Sequence, residues 1–213
     1  MKELLYKEFK LAITPAFYIV LLCAVLILIP SWIYFIAMSY IFFIIIPNVF
    51  LLANSNNDTF FSILMPVKKS DLVKSRLISV IMLEILNIAI AIPFAIINFS
   101  LYKNNFFMDP NIAFFGFVLI MYAIFNLTFF PGYYKTGYKI AFPIIRAIIF
   151  TVLFAFLIET TMLVFPDIKL LFGNRNGNIM WQLSILIVGV ILFVLFNIIA
   201  FKLSAKRFEK LDL

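Results

Sequence analysis

LISVIMLEILNIAIAIPFAIINFSL, from Leu77 to Leu101, holds one ionisable side chain, Glu84, in twenty-five residues. Wound as an α-helix, such a run is about 37 Å long and exceeds the roughly 30 Å hydrocarbon core of a bilayer. Working outward, five more stretches are long and apolar enough to do the same: Ala12 to Ile29, Trp32 to Ala53, Ile112 to Phe130, Ile144 to Phe165 and Trp181 to Leu203. None alternates strictly between apolar and polar residues, which excludes a transmembrane barrel and leaves helices that satisfy their own backbone groups. The chain as a whole agrees. It is 65% hydrophobic and 13% charged over 213 residues, more apolar surface than a soluble domain of this size can bury. The reading is an all-α polytopic membrane protein with six spans in a single transmembrane domain, residues 1–213. Pro30 and Ser31 make the first two spans a tight hairpin.

Cationic residues orient these spans. On one side fall Lys2, Lys7, Lys10, Lys68, Lys69, Lys74, Arg76, Lys135, Lys139, Arg146, Lys202, Lys206, Arg207 and Lys210; on the other only Lys103, Lys169 and Arg175. By the positive-inside rule both termini are cytoplasmic. Membrane topology thus accounts for most of the net charge of +7, and nucleic acid is not an expected partner. Residues 1–11 read as an interfacial helix, with Leu4, Leu5 and Phe9 on the membrane face and Lys2, Glu3, Lys7 and Lys10 turned away. Pro15 marks the turn into the first span. No cleavable signal peptide is expected, because the first apolar run follows a segment that carries acids as well as lysines. Residues 203–213 form a cytoplasmic tail.

Much enzymology is excluded by composition. The chain has no His and one Cys, Cys23, so catalytic triads and zinc or haem sites that need imidazole are ruled out. Cys23 lies in an apolar run and reads as a small buried or lipid-facing residue. Gly132 and Gly137 have phosphate-loop spacing but Tyr138 and Lys139 follow where Lys and Ser or Thr are required, so the segment reads as a cytoplasmic turn. Asn57-Asp58-Thr59 matches a glycosylation acceptor on the wrong side of the membrane.

Three ionisable residues inside the spans, Glu84, Arg146 and Glu159, are costly in lipid and should face protein or water. Glu84 and Arg146 sit at similar depths near the cytoplasmic ends of the third and fifth spans, and the expectation is a structural pair, direct or through water, that Asn87, one turn from Glu84, can join. Glu159 stays open between a structural role and a transport path. Pro47, Pro93 and Pro143 can bend or end helices.

The loop at residues 54–76 is the most distinctive segment. Asn56 and Asp58 precede the apolar run Thr59, Phe60, Phe61, Ser62, Ile63, Leu64, Met65; Pro66 stops it; Ser70 can cap the next helix. A short apolar-faced helix between basic flanks suits insertion into a groove on a soluble partner. NNDTFFSILMPVKKSDLVKSRLIS resembles the corresponding loop of type-2 ABC transporter permeases, in which an acidic residue and an apolar run precede a Leu-Pro-Val-like turn, a basic pair, an acidic residue, Val and a basic residue entering the third span. Asp58, Leu64, Pro66, Val67, Lys69, Asp71, Val73, Ser75 and Arg76 match; Met65, between Leu64 and Pro66, departs from the usual spacing. The opening MKELLYKEFKL is similar to the amphipathic start of these permeases. The likeness is greatest to the small, stand-alone, six-span subunits of bacterial exporters, including those that export phenol-soluble modulins and related amphipathic peptides or drugs.

That resemblance implies a bacterial cell-membrane permease without enzymatic activity of its own. Two protomers, identical or homologous, would pair in the lipid and dock their coupling helices, Asn56 to Pro66, onto separate ABC ATPase subunits that bind ATP and Mg. No cofactor is expected in this chain, and cargo would leave the cell because the chain carries no substrate-binding domain. The 28 Phe and 8 Met suit a greasy path but suit ordinary lipid-facing and packing roles better. A second class, the substrate-capturing membrane subunit of an energy-coupling vitamin transporter, has a similar length and span number; the small-residue spacings Ala12/Ala16 and Ala91/Ala95 contain Pro15 and Pro93 and do not decide between them. An intramembrane enzyme lacks both His and a clustered carboxylate pair.

Overall fold

A computed structural model describes all residues except 1, 14, 57, 59–61, 63–66, 103–104, 137–138, 174–176 and 211–213. Among the described residues the chain is helical throughout its regular structure. Five helices are long and apolar enough to cross a membrane, or six if a bent N-terminal pair counts as one span. We label them α1 (Lys2–Lys7), continued by a π turn at Glu8–Ala12; α2 (Pro15–Leu21), continued by a 3-10 stretch at Leu22–Leu28; α3 (Tyr34–Ser55); α4 (Lys69–Leu101); α5 (Ile112–Lys135); α6 (Ala141–Val164); and α7 (Ile179–Glu209).

The two members of the bent N-terminal pair, Glu3–Lys10 and Pro15–Leu28, meet at 78°. The second is shorter in residues than the expected first span, although its 3-10 half rises about 2.0 Å per residue against 1.5 Å for an α-helix, which recovers part of the length. After Leu28 the chain reverses through Ser31, whose φ of 52° is in the left-handed region. The turn is held because the Asn105 side-chain oxygen accepts from both the Ser31 amide and the Tyr34 hydroxyl.

Helix α3 is interrupted by a π turn at Ile41–Ile45, just before Pro47. A proline ring crowds the carbonyl four residues back and supplies no N–H; widening the preceding turn accommodates both defects without ending the span. Pro93 sits inside α4 and Pro143 in the first turn of α6. Ser70 is not a cap, contrary to the sequence reading: α4 starts at Lys69 with Lys68 at the capping position and no side-chain capping bond. Gly132 is not in a turn, since α5 runs on to Lys135; Gly137 lies outside the described residues. At 33 and 31 residues, α4 and α7 are roughly 50 and 46 Å long, so both outrun the hydrocarbon. Their surplus lies at the same end of the bundle, with α1 and the C-terminus of α5. Lys69 is stacked 5.7 Å over the Phe208 ring there, and Arg207 donates to the Pro131 carbonyl. We call this the basic end.

Two kinds of interface hold the bundle. Between α3 and α5 runs an aromatic ladder: Phe35 against Phe114 (5.0 Å between ring centroids), Phe42 against Tyr122 and Phe125 (5.2 and 4.2 Å), and Phe50 against Phe129 and Tyr133 (4.8 Å each). Offset and edge-on ring pairs contribute about 0.5–1.5 kcal/mol each beyond their buried area. Between α5 and α7 the opposite solution applies, and the backbones touch. A Cβ placed on Gly116 would stand 2.7 Å from the Ile185 carbonyl oxygen, and one on Gly189 would stand 2.9 Å from the Gly116 Cα. Packing without a hydrophobic driving force favours such close approach of small residues.

We therefore expect Gly189→Leu to lower thermal stability in detergent by about 1–3 kcal/mol or more through overpacking. Val190→Leu, one position along on the exposed face, should leave the melting temperature unchanged; equal melting curves for the two variants would contradict the backbone contact.

Candidate functional site

At the basic end, two cations and two anions from three separate segments alternate in a chain. Lys7 Nζ lies 2.6 Å from Asp58 Oδ1, Asp58 Oδ2 accepts from Arg76 Nη2 at 2.7 Å, and Arg76 Nε lies 2.6 Å from Glu8 Oε2. Lys7 also donates to the Ser62 hydroxyl, which donates in turn to the Asp58 carbonyl at 2.7 Å. The Arg76 and Glu8 side chains are only 7% and 4% exposed; the other face of the guanidinium stacks 5.3 Å from the centroid of Phe50. Glu8 and Arg76 are in contact as an ion pair, but their N–H and oxygen are not aligned as a hydrogen bond. A cavity of about 20 Å³ adjoins them, bounded also by Tyr133, Tyr134 and Phe208, and has room for a single water.

Local sequence explains how the four side chains meet. Arg76 is two turns into α4, within the part of that helix that outruns the bilayer. Glu8 opens the π turn after α1, and the wider turn places Lys7 and Glu8 beside the connection between α3 and α4. Charges this deep are tolerated only in combination, because each lone charge would carry an uncompensated desolvation cost of several kcal/mol. Lys7, which the sequence reading placed on the face turned away from the membrane, is turned to Asp58. That reading did not single out Glu8, whose signal was visible in hindsight as an acid flanked by Lys7 and Phe9 on the expected apolar face.

The other residues of the expected coupling helix divide by what the structure describes. Asn56 is exposed at the C-cap of α3, its amide donating to the Leu52 carbonyl at 3.0 Å. Asp58 and Ser62 belong to the charge cluster. Thr59, Phe60, Phe61, Leu64, Met65 and Pro66 lie outside the described residues.

Deeper in the bundle the expected Glu84 to Arg146 pair is not formed. Glu84, fully buried, accepts from Asn126 Nδ2 at 2.9 Å, and the same amide donates to Asn197 at 3.0 Å. Arg146 donates to the Thr128 carbonyl at 2.9 Å, with Gly132 leaving space beside its guanidinium. Glu84 and Arg146 are kept apart because α5 stands between them: their partners Asn126 and Thr128 are two positions apart, about 200° around the helix. Asn87 does not join Glu84 either; it donates to the Tyr122 hydroxyl at 2.7 Å, which donates to the Met38 carbonyl at 3.2 Å. The polar layer thus spans α3, α4, α5 and α7. Asn126 and Asn197 were missed by the sequence reading, although an amide within an apolar span carries a desolvation cost that announces a partner.

Glu159, near the opposite end of α6, accepts from the Met108 amide at 3.3 Å. Around it the connections are stitched together: Lys169 donates to the Asn105 and Phe106 carbonyls (3.2 and 2.6 Å), Asp109 donates its amide to the Gly173 carbonyl at 2.9 Å, and Asn105 donates to Asp109 and Asn98 (2.6 and 3.3 Å).

Two outcomes follow. Arg76→Met should lower stability by about 3–5 kcal/mol because it strands two anions, and Lys7→Met should cost clearly less, since Lys7 and Asp58 keep partial access to solvent; thermal unfolding of the purified variants checks the order. In a charge-reversal cycle, Glu84→Arg and Arg146→Glu should each reduce folded yield with additive losses in the double variant. Partial recovery in the double variant would mean that the two charges do meet.

Comparison with curated proteins and with solved structures gave no match. A protein-family model described as "ABC-2 family transporter protein" matches residues 3–209, almost the whole chain, and the chain accordingly belongs to that family of transporter membrane proteins.

Proposed function

We propose that this protein is the membrane-spanning permease subunit of an ATP-driven exporter, working as a pair of protomers with two separate ATPase subunits. Membership of the ABC-2 family supports the permease assignment. The observation that carries the coupling part is the bond from Asp58 to both Lys7 and Arg76: it fastens the connection between α3 and α4 to α1 on one side and to the base of a membrane-crossing helix on the other. A push delivered to residues 56–66 by a soluble partner reaches α4 through a charge-assisted contact rather than through a slack loop.

The excess of Lys and Arg at the basic end supports its placement in the cytoplasm, with both termini. ATP and Mg belong to the partner, and their effect on this chain is through different affinities of the ATPase pair for inward-open and outward-open arrangements. The likeness to exporters of amphipathic peptides supports an amphipathic or hydrophobic cargo. Both permease protomers carry the same role whether identical or homologous.

The test is co-expression with an ABC ATPase of the same system. Phe60→Ala with Phe61→Ala should reduce recovery of the ATPase on the purified permease, or uncouple ATP hydrolysis from transport, while membrane insertion and melting temperature stay unchanged. Asp58→Lys should do the same and lower the melting temperature as well. Full recovery and full transport in both would refute the coupling role of residues 56–66.

A further inference from the structure

On the half of the molecule away from the basic end, α4, α5 and α7 enclose a groove of about 850 Å³. Its origin is the mismatch between the two kinds of helix contact. Gly116 and Gly189 draw α5 and α7 together until their backbones touch, whereas α4 reaches α5 through the longer side chains Asn87 and Glu84, which bond to Tyr122 and Asn126, about one and two turns inward of Leu119. The α4 wall is a stripe at helical spacing, Ile85, Ile88, Ile92, Ala95, Ile96 and Phe99, about 21 Å long. Ile96 is 63% exposed, and Ile92 and Phe99 are also exposed, so the mouth opens sideways on the surface that meets hydrocarbon.

A space of this size is not left empty inside a bilayer, since its lining would forfeit dispersion contacts on one side. Water does not suit its length: among the described residues, the side chains with hydrogen-bonding groups on the wall are Asn111 and Gln182, both at the end farthest from the polar layer. There, too, the N-termini of α5 and α7 converge, capped by Asn111 and Asn178, and helix N-termini favour negative charge. The groove therefore presents a long apolar trough with a polar, anion-favouring end, and its length exceeds the half-thickness of the hydrocarbon, roughly 15 Å. Its volume falls in the range of about 300–1,000 Å³ that encloses small ligands.

We infer that this groove is a lipid site: it holds an acyl chain of a phospholipid from the leaflet opposite the basic end, with the headgroup phosphate beside Asn111 and Gln182. This site is independent of the exporter reading, because it requires only a bilayer and the helix geometry. Ala95, the one small side chain on the α4 stripe and almost fully buried, is the position at which a larger residue would fill the trough.

The full-length protein is reconstituted in vesicles of phosphatidylethanolamine and phosphatidylglycerol containing a trace of phosphatidylglycerol with a mid-chain diazirine, then irradiated and digested for mass mapping. Peptides covering residues 85–99 and 112–119 should be labelled several-fold more than the exposed face of α6 around Phe156. Ala95→Trp should abolish that excess and leave labelling of α6 unchanged. Equal labelling of groove and α6 in the unaltered protein marks ordinary boundary lipid and overturns the proposal. So does an Ala95→Cys disulfide between two copies in unlabelled vesicles, which would give the groove to a second protomer. Because the comparison within the unaltered protein is decisive alone, a variant that fails to fold does not rescue the idea.

Discussion

Arg76 is the point at which the basic end is tied together. It extends from the base of the longest helix, bonds to an acid in the connection before that helix, contacts an acid at the end of α1, and lies on a ring of α3. A guanidinium can do all this at once because it is planar, always charged and able to present several N–H groups in a fixed fork while its flat face stacks. A lysine in the same place would offer a single point of charge and no stacking face. The low exposure of the cluster makes the arrangement cooperative: neutralised as a set it is tolerable, and with any member missing the rest become a liability.

The polar layer farther in follows the same rule with weaker groups. Asn126 is shared between Glu84 and Asn197, and Tyr122 between Asn87 and the Met38 carbonyl, so each helix of the central group holds at least one of its neighbours by a directed bond. Apolar packing in lipid is indifferent to rotation about a helix axis, because lipid tails are as apolar as the side chains they would replace. A few directed bonds therefore do what hydrophobic burial does in a soluble protein, fixing which face of each helix turns inward.

The runs of apolar sequence made the approximate positions of five spans readable, while the expected first span is a bent pair of helices; the π turn before Pro47 is a local consequence of a residue the sequence displayed. Which faces pack was not readable. Helices apolar all the way round have no amphipathic stripe from which to infer an inward side, so the buried Phe residues of α3 and α5 could not be told from Phe142, Phe150 and Phe156 of α6, which are exposed. The same blindness explains the charged residues. Depth along a helix follows from counting, and put Glu84 level with Arg146 correctly enough; azimuth does not, and α5 fell between them. In the loop before α4 Asp58 carried a recognisable pattern, while Glu8 acquired its place only from the wide turn that follows α1. The start of α4 was legible to within two residues, since Ser70 was read as the cap of a helix that begins at Lys69; what the sequence did not display is that α7 reaches as far and gives Lys69 the Phe208 ring to pack on.

The glycine contact between α5 and α7 also divides the molecule mechanically. Two helices that touch backbone to backbone have no layer of side chains to re-sort between them, so sliding or tilting one against the other meets a steep repulsive wall, and the pair behaves as a single beam. Helix α4 meets that beam across amides and a carboxyl whose bonds can be exchanged for others of similar length. Any reshaping of the bundle then falls on the seam between α4 and the beam, the seam at whose basic end Lys69 lies over the Phe208 ring and whose other half holds the groove.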